Sequence, residues 1–217
     1  MKRLLLNCNP LDRLLGGGVE EGTITEIYGE AGSGKTNFCL QATRECIASG
    51  EKVAYIDADG ISIERLRQLC DGYDYKKILS HTLFFTPTSF EEQEQMVTKA
   101  INIDGIGMVI IDSFNMFYRM ALEYDEEGVN RALNRQITTL QVAARTKGFY
   151  VILAGQVYST EDHDVLPFAG RGIEHIAKTI VKFERVGIGK RQATIMKHRS
   201  QPEGKTAMFT ITQHGLE

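Results

Sequence analysis

The chain of 217 residues contains no tryptophan, four prolines and four cysteines. With so little proline, and no Ser-rich or repetitive stretch, it has neither a low-complexity tail nor a proline-rich linker. Cys8, Cys39, Cys46 and Cys70 form no C-x-x-C pair and have no histidine at zinc-binding spacing, which argues against a structural zinc site or a redox pair. Cys39 and Cys46 are seven residues apart, so they would share one helix face as buried thiols. No apolar run approaches the ~20 residues that cross a bilayer. The start, Met1-Lys2-Arg3-Leu4-Leu5-Leu6-Asn7, lacks the apolar core of a signal peptide. A reduced, cytoplasmic protein without a membrane role is the expectation. The length suits one domain, expected to fill residues 1–217.

Net positive charge is also missing: the formal charge is −3. Its distribution is uneven. Residues 171–205 hold nine Lys/Arg against three Asp/Glu, a balance of +6, which leaves −9 for the rest of the chain. A basic C-terminal third on an acidic body points to a local anionic partner, although a solvated basic face would look the same.

What the chain does have is Gly29-Glu30-Ala31-Gly32-Ser33-Gly34-Lys35-Thr36, which fits the phosphate-loop pattern G-x-x-x-x-G-K-[ST] at every fixed position. The β-rich run Thr23–Tyr28 precedes it, and a helix is expected to open at Asn37. Glycines let backbone N–H groups curl around phosphate oxygens, and the helix adds its positive end. Lys35 would reach the β- and γ-phosphates and Thr36 would ligate Mg²⁺. Gly29 through Asn37 are the candidate contacts to ATP.

Strands and helices alternate along the chain. Residues 36–49 read as a helix closed by Gly50. Lys52–Asp57 reads as a buried parallel strand. A helix at Ser62–Leu69 follows, then a strand at Thr82–Thr86. A helix starts at Ser89 with a capping box to Glu92. A strand at Met108–Asp112, a long helix over residues 126–146 and a strand at Phe149–Leu153 complete the pattern. Beyond residue 178 the rhythm changes to strands at Lys178–Val186, Gln192–Lys197 and Ala207–Thr212, with a hairpin turn at Gly187–Gly189. The expected class is α/β: a mostly parallel twisted sheet flanked by helices, extended at one edge by antiparallel C-terminal strands.

Asp112 ends the apolar strand Met108–Ile111, 76 positions beyond Thr36. Its carboxylate is a candidate support for the water shell of Mg²⁺. Ser113 could join that shell or cap the turn. Asp57 and Asp59 close the second strand, and only one of them is expected to face the phosphates. Gln156, after the fifth strand, could hydrogen-bond a γ-phosphate, or be a polar strand end with no further role.

These residues resemble the RecA/RadA recombinase superfamily over nearly the whole chain, most closely its archaeal paralogue family RadB. The likeness is carried by Pro10-Leu11-Asp12-Arg13-Leu14-Leu15-Gly16-Gly17-Gly18-Val19, by Gly22–Glu26, by Tyr28–Thr36, by Asp112-Ser113-Phe114 with Arg135-Gln136, and by Pro202–Lys205 with Phe209–Thr212. The resemblance implies a RecA-like ATPase core, with Asp59 and Gln156 as the catalytic pair. Asp59 stands where active recombinases carry the catalytic glutamate. It is one methylene shorter, which implies slow or vestigial hydrolysis. Relatives also carry an N-terminal helical domain and a linker phenylalanine that builds filaments. Here the first phenylalanine is Phe38, so a small species rather than a filament is implied. Arg131, Arg135 and Arg199 are equal candidates for an arginine finger.

In the family two loops face DNA. The corresponding stretches here, Arg119–Glu127 and Tyr158–Gly172, are acidic through Glu123, Asp125, Glu126, Glu127, Glu161, Asp162 and Asp164. His163 and His175 fall in or beside the second and have no metal-ligand spacing. The cations lie instead in Lys190-Arg191 and Lys197-His198-Arg199. These are the candidate DNA-binding residues, with phosphates on the cations and His198 as a stacking group. A lysine-protected edge strand, or contact with a neighbour's nucleotide, are the other readings.

The expected function is an ATP- and DNA-binding accessory protein of homologous recombination and repair. Its expected partners are single-stranded or branched DNA and a RadA-type recombinase or other recombination protein, with a small homo-oligomer as an option. The alternatives are an active DNA-dependent ATPase that pairs and exchanges strands, and a RecA-like regulatory ATPase without a DNA role.

Overall fold

The computed structural model describes residues 2–159, 165–167 and 170–217. In chain order the elements are β1 (Arg3–Leu4), α1 (Asn9–Leu14), β2 (Val19–Glu20), β3 (Ile24–Gly29), α2 (Lys35–Ala48), β4 (Lys52–Asp57), α3 (Ile63–Leu69), α4 (Tyr75–His81), β5 (Thr82–Phe85) and α5 (Phe90–Ala100). They continue with β6 (Ile106–Asp112), α6 (Met116–Leu122), α7 (Glu126–Lys147), β7 (Tyr150–Gly155), β8 (Val157–Ser159), β9 (Val165–Pro167), α8 (Gly170–Ile176), β10 (Thr179–Arg185), β11 (Lys190–Lys197) and β12 (Thr206–Thr210).

Eight strands form the main sheet in the order β12-β11-β10-β3-β7-β6-β4-β5. From β10 to β5 every neighbour is parallel, whereas β11 and β12 are antiparallel additions. The central parallel strands β6 and β7 are nearly continuous apolar runs because both faces are covered. Along β6, Met108 and Ile110 pack into one core with α2 residues Phe38, Cys39 and Cys46. Val109 and Ile111 pack into the other core with α7 residues Leu133, Ile137 and Leu140. All four cysteines are free and buried.

The helix signals behave as their chemistry requires. Gly50 adopts φ +100 just past α2. Ser89 accepts the Glu92 N–H at 3.1 Å. The reciprocal bond is displaced by one residue, because the Glu92 carboxylate takes the Thr88 N–H and hydroxyl, each at 2.8 Å, rather than the Ser89 N–H. Four helices fall where no helix was expected. α1 begins with Pro10 in its first turn, α4 is capped by Asp74, α6 occupies the expected first DNA-facing loop, and α8 begins within the expected second one. All four are six or seven residues long, too short to show a periodic apolar stripe. Of the expected second loop, Glu161, Asp162, His163 and Asp164 lie outside the described residues. Val157–Ser159 and Val165–Pro167 pair as an antiparallel ribbon.

No helix among the described residues is long and apolar enough to cross a membrane. The loops that leave the carboxyl ends of β3, β4, β6 and β7 open on one edge of the sheet. That edge is where doubly wound sheets hold ligands.

Candidate functional site

The Gly29–Thr36 loop is a tight arch between β3 and α2. At Gly29 a Cβ would lie 2.1 Å from the Phe183 carbonyl oxygen and 2.9 Å from Ser33 Oγ, so only glycine lets the loop start this close to β10. Gly32 and Gly34 hold φ of +73 and +110, in the left-handed region. The C-terminal strand backs the arch, with Phe209 and Ile211 against Gly34. α2 has no acidic residue in its own first turn to offset its positive end.

Lys35 folds back over the loop and donates to the Gly29 and Glu30 carbonyls at 2.8 and 2.9 Å. Burial lowers its pKa, and the nearby Asp112 and Asp59 oppose that shift. Those two carbonyl bonds occupy the ammonium. The hydroxyl of Ser33 is fully buried without a hydrogen-bond partner. A buried orphan hydroxyl beside a cradle of glycines suits an oxygen-rich ligand.

Asp112, at the end of β6, lies across from Lys35. Its carboxylate accepts from the Tyr55 hydroxyl at 2.8 Å. Burial pushes its pKa up to about 6, against the lowering contributions of Tyr55, Thr36 and Lys35. Thr36 and Asp112 therefore present a hydroxyl and a carboxylate to one small space. These are hard oxygen donors that suit Mg²⁺, an ion that keeps water and phosphate oxygens for its remaining positions. The Ser113 hydroxyl is buried and has no hydrogen-bond partner.

The two aspartates after β4 part company. Asp57 accepts the N–H groups of Gly60 and Ile61, both at 2.8 Å, and so shapes the turn. Asp59 reaches past the end of β6 to the segment after β7, where Gln156 Nε2 donates to its Oδ2 at 3.0 Å. Gln156 is itself fixed through its backbone. Its N–H donates to Asn115 Oδ1 at 3.0 Å, and its carbonyl accepts from Asn115 Nδ2 at 2.8 Å. Asn115 is fully buried. The sequence reading missed it, because one Asn after a strand carries no pattern. Arg65 was also missed. It donates to Asn37 Oδ1 at 2.7 Å and to the Thr212 carbonyl at 2.7 Å, tying the start of α2 to the C-terminal segment.

The structure brings Gly29–Asn37, Asp112, Asp59 and Gln156 together at the carboxyl ends of the strands, and of the basic candidates it adds Arg191. Arg191 turns onto the loop and donates from Nε to the Gly32 carbonyl at 2.9 Å. Lys197 donates to the Glu174 carbonyl. His198 Nδ1 accepts the N–H groups of Ser200 and Gln201 at 3.0 and 3.1 Å, which uses the ring as a turn cap. Arg199 ion-pairs with the buried Glu20 at 2.8 Å. Lys190 is exposed. Of the arginine-finger candidates, Arg131 pairs with Glu127 at 3.1 Å and Arg135 with Glu94 at 2.7 Å on exposed helix faces.

A family model described as Rad51 matches residues 3–217. The chain is 44% identical to the DNA repair and recombination protein RadB of Methanococcoides burtonii, over 99% of this chain and 97% of that protein. It is 37% identical to the protein of the same description from Thermoplasma acidophilum, over 100% of this chain and 94% of that one. A crystal structure of the RadB recombinase superposes with a TM-score of 0.87 at 34% identity, covering 99% of this chain and 98% of the other. The α/β sheet with its antiparallel C-terminal edge is thus a RecA-like fold, and the chain belongs to the Rad51 family, within its RadB group of DNA repair and recombination proteins.

Proposed function

We propose that this chain is an ATP- and DNA-binding accessory protein of homologous recombination that assists or regulates a RadA-type recombinase and hydrolyses ATP weakly. The observation that carries the reading is the convergence of Lys35, Thr36, Asp112, Asp59 and Gln156 around a glycine arch at the positive end of α2. Bound MgATP would supply the phosphoanhydride and the charge that draws these groups together. Lys35 and the loop N–H groups hold phosphate oxygens, and Thr36 and Asp112 hold the metal. Asp59 accepts a proton from water, and Gln156 reads the terminal phosphate.

Weak hydrolysis follows from the reach of Asp59. A base about 1 Å from its productive position can lose on the order of a hundredfold in rate. The nucleotide then serves mainly as a conformational ligand, favouring whichever state binds it better. The role in recombination rests on the description shared by the relatives. Single-stranded or branched DNA is the proposed nucleic acid, the cytoplasm the proposed location, and a small homo-oligomer is compatible with both.

The test is steady-state ATP hydrolysis with and without single-stranded DNA, alongside ATP and DNA binding in one buffer, with Lys35→Ala as the control that loses nucleotide. Binding of both ligands with slow, unstimulated turnover is expected. Strong DNA-stimulated turnover would replace this reading with an active recombinase motor. ATP binding with no DNA affinity would replace it with a regulatory ATPase.

A further inference from the structure

The facing ends of β10 and β11 carry three cations, Arg185, Lys190 and Arg191, and the two arginines lie beside the glycine arch. Arg185 and Arg191 sit directly opposite each other in the antiparallel register. Like charges in that position repel and cost stability. Among the described residues neither is within ion-pair distance of a carboxylate. Glu184, the nearest acid in sequence, pairs with Lys182 at 2.8 Å, and the Arg191 bonds go to the carbonyls of Gly32 and Lys190 at 2.9 and 3.0 Å. A Cβ on Gly32 would lie 3.9 Å from Arg185 Cδ and 4.0 Å from its Nη1, so the second guanidinium also flanks the arch.

The contact at Gly32 has a directional consequence. A trans peptide points its C=O and N–H in opposite directions. With the Gly32 carbonyl drawn outward by Arg191, the Ser33 N–H is turned into the loop, where it donates to the Glu30 carbonyl at 3.2 Å. The buried, unpartnered Ser33 hydroxyl lies on the same residue.

We infer that Arg191 is a positioning residue for the phosphate loop, holding the Gly32–Ser33 peptide so that its N–H faces an incoming polyphosphate, and that Arg185 adds its charge to the same site. The hairpin is a third wall of the nucleotide site, and the repulsion between the two guanidinium groups is relieved when the anion arrives. This assignment takes Arg191 away from the DNA-facing set. It rests on the nucleotide-binding reading above.

The experiment measures ATP, ADP and inorganic triphosphate affinity by calorimetry, with nucleotide-induced thermal shifts, in wild type, Arg191→Ala, Arg191→Lys and Arg185→Ala. Arg191→Ala is expected to weaken all three ligands by about tenfold, the size of one lost charge-assisted hydrogen bond. Its melting temperature without ligand should stay near wild type while the ligand-induced shift shrinks. Arg191→Lys should restore part of the affinity, because one ammonium can still donate to the Gly32 carbonyl. Arg185→Ala should cost about threefold and lose that effect in high salt. Wild-type affinity in Arg191→Ala, or a lowered melting temperature with an undiminished ligand shift, would overturn the inference and leave the nucleotide reading standing. A wild-type protein that binds no nucleotide would overturn the nucleotide reading itself, before any variant is compared.

Discussion

Gln156 Nε2 donates to Asp59 Oδ2 at 3.0 Å, joining the segments that follow β7 and β4 over the end of β6, which lies between them in the sheet. The amide expected to read a terminal phosphate thus holds the carboxylate expected to activate water. A phosphate that attracts the amide would release the carboxylate, so the two roles are linked by one bond.

Lengthening that carboxylate tests the reach argument. Asp59→Glu is expected to raise ATP turnover by on the order of tenfold or more, since ~1 Å of misplacement costs about a hundredfold when reversed. ATP affinity should change little. Turnover no faster than wild type in a variant that binds ATP normally would refute the idea that carboxylate length limits the reaction.

Asp112 would set the acid limit of the proposed metal site. Its pKa is about 6, raised by burial from the ordinary carboxylate range. Only the ionised form attracts Mg²⁺, so affinity for the Mg²⁺–nucleotide complex should be full well above pH 6, halved near pH 6 and lower below it, falling at most about tenfold per unit. Calorimetry from pH 5 to 8 checks this. Asp112→Asn should bind weakly with a flatter profile. An unchanged pH slope in that variant would mean another group titrates.

Glu26 lies fully buried in the middle of β3, with no hydrogen-bond partner for either oxygen. Burial, and secondarily Glu174, raises its pKa to about 8. The folded protein therefore holds this proton more tightly than the unfolded chain does. The contribution of Glu26 to stability is greatest below the unfolded value near 4.5, declines as pH rises, and levels off above 8. Glu26→Gln, neutral at every pH, should gain a few kcal/mol over wild type at pH 8.5 and little at pH 5. Denaturant midpoints at both pH values decide it. Equal effects at the two would show that Glu26 does not carry the titration.

Arg199 reads in sequence as part of a DNA track, but it sits on the buried carboxylate of Glu20 together with Arg3, at 2.8 and 2.7 Å. Burial alone would raise the Glu20 pKa. The two guanidinium groups outweigh it and hold the pKa below its usual value. Arg199→Ala should destabilise the fold by about 1–3 kcal/mol through the weakened buried acid. DNA affinity should hold. An unchanged melting temperature with weakened, less salt-sensitive DNA binding would return Arg199 to the DNA track.

The glycine arch was legible in the sequence because its chemistry is local: Gly29, Gly34, Lys35 and Thr36 are needed at fixed spacing wherever a backbone wraps phosphate. The strands of the main sheet were legible for a similar reason. Burial on both faces favours apolar runs such as Val109-Ile110-Ile111, and the polar residues that close them, Asp57 and Asp112, mark the ends that face the candidate site. The two-residue and three-residue strands β1, β2, β8 and β9 were not legible. The short helices α1, α4, α6 and α8 were not legible, since seven residues hold too little periodicity to separate helix from turn. Tertiary structure alone decided which cations are spent within the fold. Lys197, His198, Arg199 and Arg191 look alike as a basic stretch, yet each is bound to a partner brought from elsewhere in the chain or shaped by a turn: Glu174, the Ser200–Gln201 amides, Glu20 and Gly32. The same holds for Asn115, which acquires its role only when parallel pairing of β6 and β7 sets it beside the Gln156 peptide. Residue type and spacing determine what a side chain can do. The long-range pairing of strands determines what it meets, and so what it does.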